Sequence, residues 1–200
     1  MSDDILSQAS RVREEIVYKK LFPAIKSEFF VPQKAKLVAF GGKELIEVGW
    51  GVFQIEPTEK NPHWIYLTSG LSNPFDDEEF EDYEESGYGF ELAMYTQKKS
   101  PWAISVLWNL MGYVLTTGNI FADGHVMPLN GPIDGEKSAL KSLIFYDDRT
   151  FSLPTGSFTL LTALGITEEE SDLLRTYPPA DLKKKLEGKN IFPLTVAERS

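Results

Sequence analysis

Along the first two dozen residues, apolar positions recur at helical spacing: Ile5, Val12, Ile16, Tyr18 and Leu21 stand among Arg11, Arg13, Glu14, Glu15, Lys19 and Lys20. The pattern predicts an amphipathic helix over residues 4–22, ended by Pro23, with an apolar stripe that needs a platform. Runs rich in β-branched and aromatic residues offer candidate strands at residues 36–40, 45–50, 52–56 and 64–69, separated by Gly41-Gly42 and by the turn residues between Pro57 and Pro62. Alternation is cleanest where Tyr88, Phe90, Leu92 and Met94 interleave with Gly89, Glu91, Ala93 and Tyr95. One face of this strand is large and apolar. The small residues Gly89 and Ala93 on the other let a bulky neighbour, such as a helix, come close.

Ser100-Pro101 then reads as an N-cap followed by proline at the first helical position, with Trp102, Val106, Leu110 and Val114 as a stripe and Gly118 as a stop. Nothing from Pro101 to Ala122 is charged, yet the helical pattern holds only over residues 101–115 and includes Asn109. That is about 21 Å of helix against about 30 Å of hydrocarbon, so a buried helix is expected and not a membrane span. The apolar piece 121–127 sits among Gly, Pro, Asn and Asp, as a strand entering a long loop would. Residues 142–146 and 157–164 are further strand candidates. Thr167 and Glu170 form a capping box opening a helix to about residue 177, and residues 181–187 with Gly188 behind them make a last short helix. Without regular βαβ alternation, the class is α+β: a largely antiparallel or mixed β-sheet flanked by helices, in a single compact domain spanning residues 1–200.

At 200 residues and 42% hydrophobic content the chain is long enough for one well-buried core. Cysteine is absent, which excludes disulfides, zinc ribbons, thiol nucleophiles and cysteine-ligated clusters. A net charge of −10 argues against nucleic acid or anionic membrane as a partner. The charge is concentrated. Residues 76–85 hold eight carboxylates and no cation; of the 30 acids in the chain, the 22 outside this run nearly balance 20 Lys and Arg. The opening Met-Ser-Asp-Asp has neither the basic nor the apolar region of a secretory signal, so a cytoplasmic location is expected. Trp50, Trp64, Trp102 and Trp108 have apolar neighbours and are expected in or near the core.

Chemistry-bearing motifs are sparse. His63 and His125 fit no HExxH or HxxxH spacing, and no nucleophile elbow, P-loop or GxGxxG is present. Ser69 and Ser72 have no base at a useful spacing. Asp123-Gly124-His125 brings a carboxylate and an imidazole together, chiefly as loop hydrogen-bonding groups. Glu91, on a strand between small residues, is the carboxylate best placed for burial, where it serves a structural hydrogen bond or ion pair, or else catalysis or recognition. No catalytic residue, metal ligand or cofactor is assigned. A metal-assisted hydrolase using Asp123, His125 and Glu91 is the enzymatic alternative, and a self-associating structural subunit is a third reading. The acidic run is either a solvated loop or a recognition surface. Phe75, Phe80 and Tyr83, interleaved with the carboxylates, suit the docking of a basic protein, because charge speeds encounter and desolvated rings supply affinity.

Several motifs stand in a telling order: Trp64-Ile65-Tyr66-Leu67-Thr68-Ser69-Gly70-Leu71-Ser72-Asn73, then Ser86-Gly87-Tyr88-Gly89-Phe90-Glu91-Leu92, then the Trp102 helix ending in Tyr113-Val114. Thr117-Gly118-Asn119-Ile120-Phe121, Gly124-His125, Pro132-Ile133-Asp134, Pro154-Thr155-Gly156 and Gly165-Ile166-Thr167-Glu168-Glu169 follow. Together they resemble the suppressor-of-fused domain, over roughly residues 35–175. The resemblance implies a mixed α/β binding domain without an established catalytic centre. In the animal family member this domain and a second one clamp a transcription-factor peptide; these 200 residues hold only the first, so the two-domain clamp is not carried over. The single-domain form is similar to the bacterial branch, some members of which are thought to be immunity proteins that neutralise toxins. The segment between the two leading motifs faces the peptide in the animal domain. Here it is shorter and different in sequence, and it supplies the expected partner-binding residues: Phe75, Asp76, Asp77, Glu78, Glu79, Phe80, Glu81, Asp82, Tyr83, Glu84 and Glu85.

Overall fold

The structure, a computed structural model, describes residues 5–23, 27–32, 49–74 and 84–199. The strands expected at 36–40 and, but for its last two residues, at 45–50 lie outside the described residues, as do residues 75–83 of the partner-binding segment. The N-terminal helix forms, with a change of winding: α1 (Ile5–Arg11) runs into a π-helical stretch (Val12–Tyr18) and then α2 (Lys19–Leu21). Because π-helical hydrogen bonds run i→i+5, the face turned to the protein is not the 3.6-residue stripe. Ile16 is 58% exposed while Arg13 is wholly buried, along with Val17, Tyr18 and Phe22.

Seven strands form one mixed sheet in the order β1-β2-β3-β4-β7-β6-β5. They are β1 (Ser27–Phe30), β2 (Gly51–Ile55), β3 (Trp64–Ser69), β4 (Glu85–Thr96), β5 (Val126–Pro128), β6 (Leu140–Leu153) and β7 (Gly156–Thr167). All neighbours are antiparallel except the central pair β4 and β7. The alternation read in β4 works as expected. Phe90, Leu92 and Met94 pack with Tyr66, Phe145 and Leu161 beneath α3 (Pro101–Thr117), which contributes Ala103, Ile104, Leu107, Leu110, Met111 and Val114. On the opposite face Ala93 meets Val17, Tyr18 and Phe22 of the N-terminal segment together with Ile65, Leu67 and Leu160. Farther along that face α5 (Pro179–Gly188) lays Leu182 and Leu186 on Ile144, Tyr146, Leu164 and Ile166. Each large apolar side chain so buried contributes about 1.5–3 kcal/mol.

Local signals set most boundaries, with instructive departures. Gly118, at φ +69°, ends α3 by donating its N–H to the Val114 carbonyl. Ser100 precedes that helix without capping it: its hydroxyl donates to the Lys98 carbonyl and its N–H to the Tyr66 hydroxyl. Trp102 and Val106 are half-buried at the margin of the packed face. Trp50 is buried, and Trp64 and Trp108 pack against the same core. The Thr167–Glu170 capping box is present in both directions, but α4 (Glu168–Leu173) is shorter than the expected helix. Its end tightens into i→i+3 bonds, Arg175 N–H to Asp172 and Thr176 N–H to Leu173, ahead of Pro178 and Pro179, which disfavour helical backbone before them. The strand expected at 121–127 shrinks to β5, because Ala122–His125 closes as a turn with the His125 N–H on the Ala122 carbonyl. Among the described residues no helix is long and apolar enough to cross a membrane.

Candidate protein-interaction site

β3 ends in Thr68-Ser69, and the chain then turns through Gly70-Leu71-Ser72-Asn73 toward the acidic run. This turn is organised from beneath by two buried ions. Glu91 of β4 accepts four bonds: from the Gly70 and Ser72 N–H groups (2.9 Å each) and the Ser72 hydroxyl (2.8 Å) on Oε1, and from the Thr68 hydroxyl (2.6 Å) on Oε2. The Arg13 guanidinium lies 3.6 Å from the same carboxylate. Its Nη1 donates to Ser72 Oγ (3.0 Å) and Asn73 Oδ1 (2.7 Å), and its Nη2 to Ser69 Oγ (2.8 Å) and Ser10 Oγ (3.3 Å). The Ser69 hydroxyl in turn donates to Glu14 Oε1 at 2.6 Å. Both ions are fully buried; their opposite charges and these hydrogen bonds offset the desolvation, and Arg13 Nε alone of the guanidinium nitrogens makes no hydrogen bond. Beside them the Tyr18 hydroxyl donates to the Thr68 carbonyl, and burial, reinforced by the Glu91 charge, pushes that phenol well above its ordinary pKa.

The two roots of the acidic run meet over this cluster. The Tyr88 N–H donates to the Leu71 carbonyl at 2.8 Å, and the Ser86 hydroxyl donates to the Ser72 carbonyl at 2.7 Å. With its hydrogen so used, Ser86 Oγ accepts from Thr155 at 2.5 Å. Gly87, at φ +60°, approaches so closely that a Cβ there would stand 2.2 Å from the Asn73 carbonyl oxygen and 2.7 Å from that of Leu71. The glycine pair Gly87-Tyr88-Gly89 therefore forms an irregularity in β4, whose register with β7 shifts between Glu85 and Phe90. Glu84 and Glu85 are exposed, and the Ser157 N–H and hydroxyl both donate to the Glu84 carbonyl. Of the expected partner-binding residues, Glu84 and Glu85 are thus placed at one root; Phe75 to Tyr83 lie outside the described residues.

The enzymatic alternative does not assemble. Asp123 and His125 are exposed in the turn before β5, where Asp123 accepts the Asp147 N–H of β6 at 3.0 Å. β7 lies between β6 and β4, which puts Glu91 three strand spacings from Asp123, on the order of 14 Å. Glu91 is moreover saturated by its own donors. Among the described residues no group of three or more His, Asp or Glu is placed to hold a metal ion. Arg13 was not legible as a functional residue, because its partners Ser69, Ser72 and Asn73 stand 56 to 60 positions away.

Residues 47–200 match the family model of the suppressor of fused protein, SUFU. The chain belongs to the suppressor of fused family. The match extends past the resemblance seen in the motifs, to the last residue. Among solved structures, the fold is similar to that in the Sufu–Fu complex, with a TM-score of 0.74 and 18% identity, covering 96% of this chain and 90% of that one. It is similar also to a SUFU homologue from Neisseria gonorrhoeae, with a TM-score of 0.66, 18% identity and coverage of 98% and 96%. Drosophila Suppressor of Fused gives 0.65 and 19% over 89% of this chain, which spans 52% of that protein's length. A search of the curated proteins found no match. In eukaryotes the family is one of protein-interaction domains. The suppressor of fused match takes in β3, β4 and both roots of the acidic run, and leaves the Arg13 segment outside.

Proposed function

We propose that this chain is a non-enzymatic protein-binding domain, one unit over residues 1–200, that docks a basic protein on the acidic segment from Phe75 to Glu85. An immunity-type role, in which the partner is a toxin domain met in the bacterial cytoplasm, is the reading that best suits a suppressor of fused domain with this charge. The observation that carries it is the joining of the two roots. Leu71–Asn73 and Ser86–Tyr88, on either side of the acidic run with its eight carboxylates, are bonded to each other, and Ser72 and Asn73 also to the buried Arg13–Glu91 pair. A like-charged cluster on a fixed base steers a cationic partner and raises its association rate about 10- to 1000-fold.

The test exchanges the eight acids for Asn and Gln and follows association with a cationic partner captured from lysate by the unaltered protein. Association slows by that factor at low salt, and the difference shrinks near 1 M salt, where the Debye length is about 3 Å. Equal association rates for the two proteins at low salt would remove the steering argument.

A further inference from the structure

The carboxylate at the back of the Arg13 pocket is held in place without Arg13. Glu91 is oriented by Thr68 at the end of β3 and by Gly70 and Ser72 of the turn that follows, and none of those four bonds involves the N-terminal segment. Ser69, Ser72 and Asn73 then present three oxygens to the two ends of one planar guanidinium. A carboxylate held in place behind a fork of neutral acceptors is what a guanidinium requires, and an ammonium cannot span it. Two of the three oxygens belong to Ser72 and Asn73, the residues whose carbonyls meet Ser86 and Gly87 at the other root.

We propose that Ser69, Ser72, Asn73 and Glu91 form an arginine-recognition site that the N-terminal segment fills in cis, and that its occupation sets how firmly the two roots of the acidic run are joined. Docking of the segment and order at the roots are then linked, and linkage is reciprocal: whatever fixes the roots also favours the docked segment. The inference concerns the free protein and stands whichever partner the acidic run meets.

The full-length Arg13→Ala variant leaves a gap the size of a guanidinium, and ethylguanidinium at millimolar concentration is the probe. The expected result is a saturable rise in the thermal midpoint of R13A, with the Gly70, Ser72 and Tyr88 amide resonances returning toward their positions in the unaltered protein. Neither the unaltered protein nor R13A/E91Q responds saturably. A folded R13A that ethylguanidinium leaves unchanged overturns the site; a rise in midpoint without return of those resonances overturns the link to the roots. Should R13A fail to fold, Arg13→Lys is read by hydrogen exchange. Protection at Gly70 and Ser72 falls by about tenfold or more while Ile144 and Leu164, deep in the sheet, keep theirs. Unchanged protection at Gly70 and Ser72 overturns the proposal.

Discussion

Gly87 gives the sharpest test of how the roots are joined, because Gly118 supplies its own control. Both glycines have positive φ, +60° and +69°, so alanine at either place meets the left-handed backbone penalty, about 1–2 kcal/mol. At Gly118 nothing lies within 4 Å of an added Cβ, and that penalty is the whole effect. At Gly87 the Cβ would sit 2.2 Å from the Asn73 carbonyl oxygen and 2.7 Å from the Leu71 carbonyl oxygen, both backbone atoms that cannot rotate aside. Overpacking of this kind adds about 1–3 kcal/mol, so Gly87→Ala destabilises by about 2–5 kcal/mol in all. Urea denaturation of both variants, with the slope checked for constancy, reads the difference directly. Equal losses at the two positions would mean that the roots are not in close contact in solution, and the fixed base of the proposed binding surface would go with them.

Three further outcomes follow from the buried charges. Glu91→Ala leaves the Arg13 cation buried with only the half-exposed Glu14 carboxylate nearby, at 3.6 Å, and costs about 3–5 kcal/mol. Arg13→Met combined with Glu91→Leu falls short of the summed single losses by about 1 kcal/mol or more in urea denaturation, and strict additivity would deny the pair. At Glu170 burial alone would raise the carboxyl pKa, but the Arg199 guanidinium and the Thr167 N–H outweigh it and hold the group below its ordinary 4.5. A depressed folded-state pKa gives stability that is present above the unfolded value and lost as pH falls through the folded one. The gap in melting temperature between the unaltered protein and Glu170→Gln therefore closes below about pH 4.5; a gap that stays constant from about pH 7 to about pH 3 contradicts it.

What could be read in the sequence was local. Strand β3 was legible from its own β-branched and aromatic run, α3 from Ser100-Pro101 and Gly118, and the start of α4 from Thr167 and Glu170, since each signal lies within a few residues of what it controls. β1 carries no such signal: its four residues are mostly exposed on an edge, so neither face of the strand imposes alternation. The parallel pairing of β4 with β7 depends on contacts some 70 positions apart, such as Phe90 with Thr159, and no turn chemistry announces it.

The functional site divides along the same line. Glu91 stood out because Gly89 and Ala93 flank it, and small neighbours on a strand mark where something else comes close. Its counter-ion was hidden twice, by distance along the chain and by the π-helical winding that turns Arg13 inward and Ile16 outward. A 3.6-residue reading assigns those two residues to the wrong faces, and no compositional argument corrects it. The acidic run was visible as charge from the outset, whereas the feature that makes charge useful for recognition, a base joined through Ser72, Asn73, Ser86 and Gly87, exists only once β3 and β4 are paired. Charge density is thus a property of the sequence, and its presentation is a property of the fold.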